Sequence, residues 1–144
     1  DDLKQYRPGI KAIKELGLHS PLLEANMTKK EIRELAAAYG LKAANKPSSP
    51  CLATRFPYHT LLNYEEMRKV EKIEDYLHAC GFYNVRARIH NDLVRLEIDQ
   101  DAFMKCMDYR QEIVLFIKEL GYDYVTFDLE GFRSGSQDIK LEGK

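Results

Sequence analysis

The sequence lacks several features that would assign a chain to a functional class at once. It has no tryptophan, no C-x-x-C pair among its three cysteines, and no apolar run long enough to cross a bilayer. An odd number of unclustered cysteines argues against a disulfide framework or a zinc ribbon, so we expect a reducing, cytoplasmic setting. A formal net charge of -1 gives no general attraction for nucleic acid, and neither nucleic acid nor a membrane is an expected partner.

The composition is that of a globular protein. The 144 residues are 44% hydrophobic and 31% charged, which is enough to build a core. The chain opens Asp1-Asp2-Leu3 with neither a methionine nor a signal-like apolar segment, so we expect a fragment of a longer protein. The isolated histidines His19, His59 and His78 have no ligand spacing to one another, and no metal site is predicted.

Helices that end on glycine alternate with short apolar segments, which predicts an α/β (α+β) chain. In the first part, Pro21 to Glu24 is a short strand candidate. Thr28 and Glu31 then form a capping box at the start of a helix. We interpret this portion as the remnant of a parallel, Rossmann-like domain, and we place it at residues 1–58.

Residues 59–144 are predicted to form a second, α+β domain with a small antiparallel sheet and helices on one face. Asn91-Asp92 suits a tight hairpin turn, because both residues tolerate positive φ. The predicted elements are a helix capped by Asn63 and ended by Gly81, strands at 83–90 and 93–99, a helical region at 101–120 broken near Asp108, and a strand at 124–129.

Strand alternation places Arg86, Arg88 and His90 together on the face of the sheet opposite the helices. Arginine forks bind phosphate and carboxylate, so this face suits an anionic ligand. The same arginines suit cross-strand pairing with Glu97, Asp128 and Glu130 on a solvated surface. The residues alone leave both interpretations open.

The segment from Lys46 to Tyr58 interrupts the regular pattern with three prolines and carries Cys51 and Arg55. Proline excludes a helix interior or a central strand, so the segment is predicted to be a shaped surface loop. Arg55 would favour the nucleophilic thiolate if its guanidinium turned toward the sulfur. Because reactive cysteines are a minority, the residues alone favour an unreactive loop cysteine. Cys80 and Cys106 fall in helical segments and are predicted to be core residues.

Seven spaced motifs resemble the LarE family, the ATP-dependent sacrificial sulfur transferases of the PP-loop superfamily. They span nearly the whole chain in the family's order. The motifs are D-D-L-x-x-Y-R-P-G from Asp1, S-P-L from Ser20, K-P-S from Lys46, C-L-x-x-R-x-P-Y from Cys51, V-E-x-x-E from Val70, R-x-R-x-H from Arg86, and D-L-E-G-x-R-x-G-S from Asp128.

The resemblance implies that an N-terminal domain binds ATP with Mg²⁺ and adenylates a carboxylate of a pyridinium mononucleotide substrate. The Ser-Gly-Gly-x-Asp-Ser loop of that domain is absent from this sequence. Asp1, Asp2 and Arg7 would be the nucleotide-binding remnant. The Cys51 thiolate would attack the acyl-adenylate, and cleavage of its Cβ–S bond would leave dehydroalanine. The product is a precursor of the nickel-pincer cofactor of lactate racemase, and we expect a homo-oligomer.

The resemblance also assigns site residues. Arg55 and Glu74 join Cys51 as catalytic candidates, and the substrate-binding candidates are Arg86, Arg88, Arg133 and Ser136. The chain departs from the family pattern at Thr54, where serine is usual, and at His59, where glycine is usual. Two other classes stay open: another PP-loop enzyme, such as an RNA thiolase or an amidating synthetase, and a non-catalytic module that binds anions or mediates oligomerisation.

Overall fold

The chain separates into two compact units, Asp1–Lys46 and Pro47–Lys144. The computed structural model describes residues 12, 13, 15–45 and 50–133. Cys51 and the turn that follows it fall in the second unit. The assignment of residues 1–58 to an ATP-binding domain stays a prediction. Across the described ranges, no helix has both the length and the apolar character needed to span a membrane.

The described part of the first unit is helical, with α1 at Pro21–Glu24, α2 at Lys29–Ala38 and a 3₁₀ turn at Lys42–Asn45. The predicted capping box is confirmed. Thr28 Oγ1 accepts the backbone N–H of Glu31 at 3.3 Å, and the Glu31 carboxylate accepts that of Thr28 at 2.7 Å. These reciprocal bonds satisfy two donors that the first helical turn leaves open.

The predicted strand at residues 21–24 is wrong, because this segment forms helix α1. Pro21 occupies the first helical turn, where its fixed φ is favourable and its missing N–H costs no hydrogen bond. The Glu24 carboxylate accepts the backbone N–H of Ser20 at 3.2 Å. These local interactions outweigh the strand preference of an apolar pair.

The second unit follows the predicted order of helix, two strands, helices and a strand. Its α+β class is confirmed, and the break near Asp108 separates two helices. The elements are α3 at Tyr64–Ala79, β1 at Val85–His90, β2 at Leu93–Ile98, α4 at Phe103–Asp108, α5 at Arg110–Glu119 and β3 at Tyr124–Phe127. Asn63 accepts the Glu65 N–H at 2.8 Å at the start of α3, and Asn91 takes φ 59° in the hairpin turn.

The sheet is mixed, which corrects the prediction of a small antiparallel sheet. Strands β1 and β2 pair antiparallel, whereas β3 pairs parallel to β2, with Val94 opposite Val125. Helices α4 and α5 lie between β2 and β3 in the chain. A helical crossover returns the chain to the same end of the sheet, which allows parallel pairing. Strand β2 is central, and β1 and β3 form the edges.

One face of the sheet packs against the helices, as strand alternation predicts. Each of the large side chains in this core contributes about 1.5–3 kcal/mol when fully buried. The residues are Val70, Ile73 and Leu77 of α3, Val85, Ala87 and Ile89 of β1, Val94, Leu96 and Ile98 of β2, and Ile113 and Ile117 of α5. This core fixes α3 and β1 as the support for the functional site.

His59 occupies a left-handed backbone conformation, with φ 67°. The resembling family usually has glycine at this position. Glycine adopts the left-handed conformation readily, whereas histidine does so at a cost. A non-glycine residue in the left-handed region destabilises the folded state by about 1–2 kcal/mol, and a change to glycine removes this cost. The greater entropy of glycine in the unfolded chain offsets about 0.4–1 kcal/mol of that stabilisation.

We therefore expect His59→Gly to raise the free energy of unfolding by up to about 1 kcal/mol. Urea denaturation measures the change. His59→Ala is the control, because alanine keeps the penalty of positive φ and is expected to give no such gain. A His59→Gly protein that is no more stable than His59→Ala would contradict this explanation.

Candidate functional site

Cys51 stands exposed at the head of a short turn. It precedes the 3₁₀ helix Leu52–Arg55, and we call residues 51–56 the cysteine turn. The carbonyl oxygen of Cys51 accepts the Thr54 N–H at 3.0 Å and the Thr54 hydroxyl at 2.8 Å. These bonds fix the backbone of the cysteine while its thiol faces solvent, where an electrophile can reach it.

Arg55 is fully buried and binds Glu74 through two parallel hydrogen bonds. Its Nε and Nη2 donate to the two carboxylate oxygens, both at 2.8 Å. Its Nη1 donates to the Thr54 hydroxyl at 2.9 Å and to the Pro50 carbonyl at 3.2 Å. The guanidinium is thus engaged by a carboxylate and by oxygen atoms of the loop.

Glu74 joins the cysteine turn to the edge of the sheet. It projects from α3 and is buried, and its Oε1 accepts the backbone N–H of Ala87 on the edge strand β1 at 3.0 Å. The same oxygen accepts the Arg55 Nε–H. Glu74 therefore satisfies a strand donor that the sheet leaves open, and it neutralises a buried arginine.

The face of the sheet opposite the helices is covered, whereas both interpretations of the sequence placed its arginines at the surface. Arg86 and Arg88 are each 6% exposed, and Glu97 is fully buried. Arg88 Nε and Nη2 donate to Glu97 at 3.1 Å each, and Arg88 Nη1 donates to the Thr54 carbonyl. The cross-strand pairing that the sequence suggested does form, but in the interior, because the cysteine turn and the segment after β3 cover these groups.

Arg86 lies among buried charges of both signs. Its Nη1 donates to the Val85 carbonyl at 2.6 Å, and its guanidinium lies 4.9 Å from the centre of the Phe132 ring. Burial lowers the pKa of Arg86 to about 10, and the charges of Arg55 and Arg88 act in the same direction, whereas those of Glu74 and Glu97 oppose it.

Arg133 belongs to the segment that follows β3. It lies 2.8 Å from the Glu130 carboxylate and 3.5 Å from that of Asp128. Arg95 extends the charge cluster, because its guanidinium lies 3.7 Å from Asp128 and 3.1 Å from Glu97. Arg133 is thereby connected through paired charges to the glutamate that holds Arg88.

Gly131 allows this segment to approach the end of β2. Its φ is 74°, and an added Cβ would lie 2.9 Å from the Ile98 carbonyl oxygen. The same oxygen accepts the Phe132 N–H at 2.7 Å. This close approach places Phe132 beside Arg86.

The structure brings together most of the predicted site. Hydrogen bonds connect the cysteine turn, Arg55 and Glu74 to the strand that carries Arg86 and Arg88, and Arg133 joins through charge pairs. Asp1, Asp2, Arg7 and Ser136 lie outside the described residues.

Two contributors were not predicted as part of the site, the Thr54 carbonyl and the Ala87 amide. Both are backbone groups that any residue carries, so the sequence holds no signal for them. Glu97 was predicted as a cross-strand partner of the arginines, and it lies opposite Arg86 in the strand register.

The chain is similar to known proteins that are longer than it is. No protein-family model matches the chain. It is 40% identical over 98% of its length to the pyridinium-3,5-bisthiocarboxylic acid mononucleotide synthase of Lactiplantibacillus plantarum. It is 39% identical over 94% of its length to an uncharacterised protein of Synechocystis sp., and 31% identical over 93% to one of Methanocaldococcus jannaschii. The chain covers 51%, 51% and 52% of these relatives, so it spans about half of their length.

Proposed function

We propose that this chain is the sulfur-donating half of a LarE-type, ATP-dependent sulfur transferase that acts in nickel-pincer cofactor biosynthesis. The structural observation that carries the proposal is an exposed cysteine at the head of a turn that is fastened to a buried arginine cluster. The similarity to a synthase whose product is a bisthiocarboxylic acid mononucleotide supports it. That product contains sulfur, and Cys51 is the exposed thiol of this chain.

The proposed reaction consumes the cysteine. The Cys51 thiolate attacks the carbonyl carbon of an acyl-adenylate, AMP leaves, and a thioester forms. A base then removes the α-proton of Cys51, the Cβ–S bond breaks, and its electron pair leaves with sulfur as the thiocarboxylate. Cys51 becomes dehydroalanine. Each chain thus supplies one sulfur atom.

The charge cluster suggests how the substrate is held. Arg86 remains the candidate of this cluster for binding the anionic groups of a pyridinium mononucleotide, because guanidinium forks bind phosphate and carboxylate. Arg133 and Ser136 are the further candidates. Arg88 donates hydrogen bonds to Glu97 and to the Thr54 carbonyl, so we assign it to holding the cysteine turn in place rather than to binding substrate. ATP and Mg²⁺ would be held by Asp1, Asp2, Arg7 and the additional length found in the relatives.

The other two cysteines bear on the alternative of a persulfide-based thiolase. Cys106 is buried in the hydrophobic core, which raises the pKa of its thiol, and Cys80 packs against the same core. Neither environment suits a persulfide carrier, which needs an accessible thiolate. The geometry therefore favours a single donor cysteine.

Stoichiometry tests the proposal. Full-length protein, incubated with ATP, Mg²⁺ and the pyridinium mononucleotide carboxylate and with no added sulfur source, is expected to stop after one thiocarboxylate per chain. Product is quantified by mass spectrometry. Continued turnover that depends on added sulfide or persulfide would contradict sacrificial donation and would support a catalytic thiolase.

A further inference from the structure

The cysteine turn is too short to hold its own shape. It contains two internal backbone bonds, Thr54 N–H to Cys51 at 3.0 Å and Phe56 N–H to Ala53 at 3.2 Å. A single 3₁₀ turn fixes several dihedral angles for few hydrogen bonds, so it is marginal in isolation. Its geometry therefore depends on the groups that hold it against the rest of the second unit.

One series of hydrogen bonds that holds the turn in place runs from Arg55 through Glu74 to the edge strand β1. Arg55 and Glu74 form a two-bond pair in the interior, and the same carboxylate accepts the Ala87 N–H at 3.0 Å. The planar guanidinium matches the carboxylate in one orientation, so the pair fixes direction as well as distance. The remaining Arg55 nitrogen donates to the Pro50 and Thr54 oxygens, on either side of Cys51.

Glu74 has little capacity left for proton transfer. Oε1 accepts from Arg55 and Ala87, Oε2 accepts from Arg55, and the residue is 7% exposed. A general base needs an oxygen within hydrogen-bond reach of the proton it removes. The geometry of Glu74 suits support of the turn rather than contact with the reacting atoms.

We propose that the Arg55–Glu74 pair, anchored on the Ala87 amide, is a positioning clamp that sets the place and direction of the Cys51 side chain. Arg55 and Glu74 are then positioning residues rather than catalytic ones. The inference rests on the proposed function for the meaning of that position, whereas the clamp itself is a physical property of the turn.

The first test replaces Arg55 with alanine and measures two quantities. In the 144-residue chain, we expect the exchange of the Thr54 and Phe56 amide protons to rise at least about tenfold, because the turn opens. In the full-length protein, we expect the maximal single-turnover rate constant of sulfur transfer to fall on the order of 10²-fold, a loss typical of a misplaced reacting group. The half-saturating substrate concentration is expected to stay within about threefold.

Guanidinium added to Arg55→Ala is expected to restore both amide protection and rate, because it can refill the site beside Glu74. Arg55→Lys keeps the charge without the fork, so it serves if the alanine variant fails to fold, and we expect an intermediate loss of both quantities. Tyr122→Phe is the matched control, since it removes a 2.7 Å bond to Glu66 in the same unit and does not touch the turn. It should leave both readouts unchanged.

Three results would overturn the clamp. They are unchanged amide exchange in both Arg55 variants, a rate that guanidinium restores without restoring protection, and a loss that appears only in the half-saturating substrate concentration. Failure of the proposed function is separate, because amide exchange does not depend on the reaction. Sulfur transfer by a protein without Cys51 would refute that function and leave the exchange result standing.

Discussion

Cys51→Ser is expected to abolish thiocarboxylate formation in the full-length protein while leaving substrate-dependent cleavage of ATP in place. Serine has nearly the shape of cysteine but holds no sulfur, so neither the thioester nor its elimination product can form. The side chain is exposed, and the free energy of unfolding should change by no more than about 0.5 kcal/mol. Chromatographic assay of thiocarboxylate and of pyrophosphate, which leaves ATP when the carboxylate is adenylated, measures both halves of the reaction.

Cys80→Ser is the matched control for this experiment. Cys80 is partly buried at the end of α3, packs against the core, and has no assigned part in the reaction. We expect this variant to form thiocarboxylate in the normal amount with a modest loss of stability. Thiocarboxylate formation by Cys51→Ser, or its loss in a folded Cys80→Ser protein, would place the donor elsewhere.

Glu97→Ala is expected to lower the free energy of unfolding by about 3–5 kcal/mol, the range found when one partner of a buried ion pair is removed. Glu97 is fully buried and accepts hydrogen bonds from Arg88 at 3.1 Å and Arg95 at 3.1 Å. Without it, the buried Arg88 loses the carboxylate that accepts two of its hydrogen bonds, whereas the partly exposed Arg95 keeps its pair with Asp128. Urea denaturation of the variant and the parent measures the difference.

Glu130→Ala is the control for Glu97→Ala. Glu130 lies 2.8 Å from Arg133, but its side chain is 75% exposed. Water therefore screens the pair, and the expected loss is below about 1 kcal/mol. Equal losses in the two variants would mean that burial does not govern the strength of this cluster.

Local sequence signals predicted the elements well. The capping box at Thr28, the Asn63 cap and the Asn91 hairpin turn all form as predicted, because each depends on residues close together in the chain. Strand alternation also identified the core face of the sheet. The parallel pairing of β3 was not predictable in this way, since it depends on where a helical crossover returns the chain.

The proximity of several candidate residues was predictable, whereas their geometry was not. The motifs grouped Cys51, Arg55 and Glu74 in one site. In the structure, Arg55 donates hydrogen bonds to the Cys51 carbonyl and to the Glu74 carboxylate. Alternation placed Arg86 and Arg88 on the face away from the helices, but burial of that face arises from tertiary packing. The covering turn and the segment around Gly131 reach it from distant parts of the chain.

The most direct test of the central claim is the mass of the Cys51 peptide after a single turnover. Full-length protein that has made one thiocarboxylate is expected to lose the mass of one H₂S at Cys51, as the residue becomes dehydroalanine. Peptides containing Cys80 and Cys106 should keep their masses. An intact Cys51 in protein that has formed stoichiometric product, with no other sulfur source present, would contradict the account.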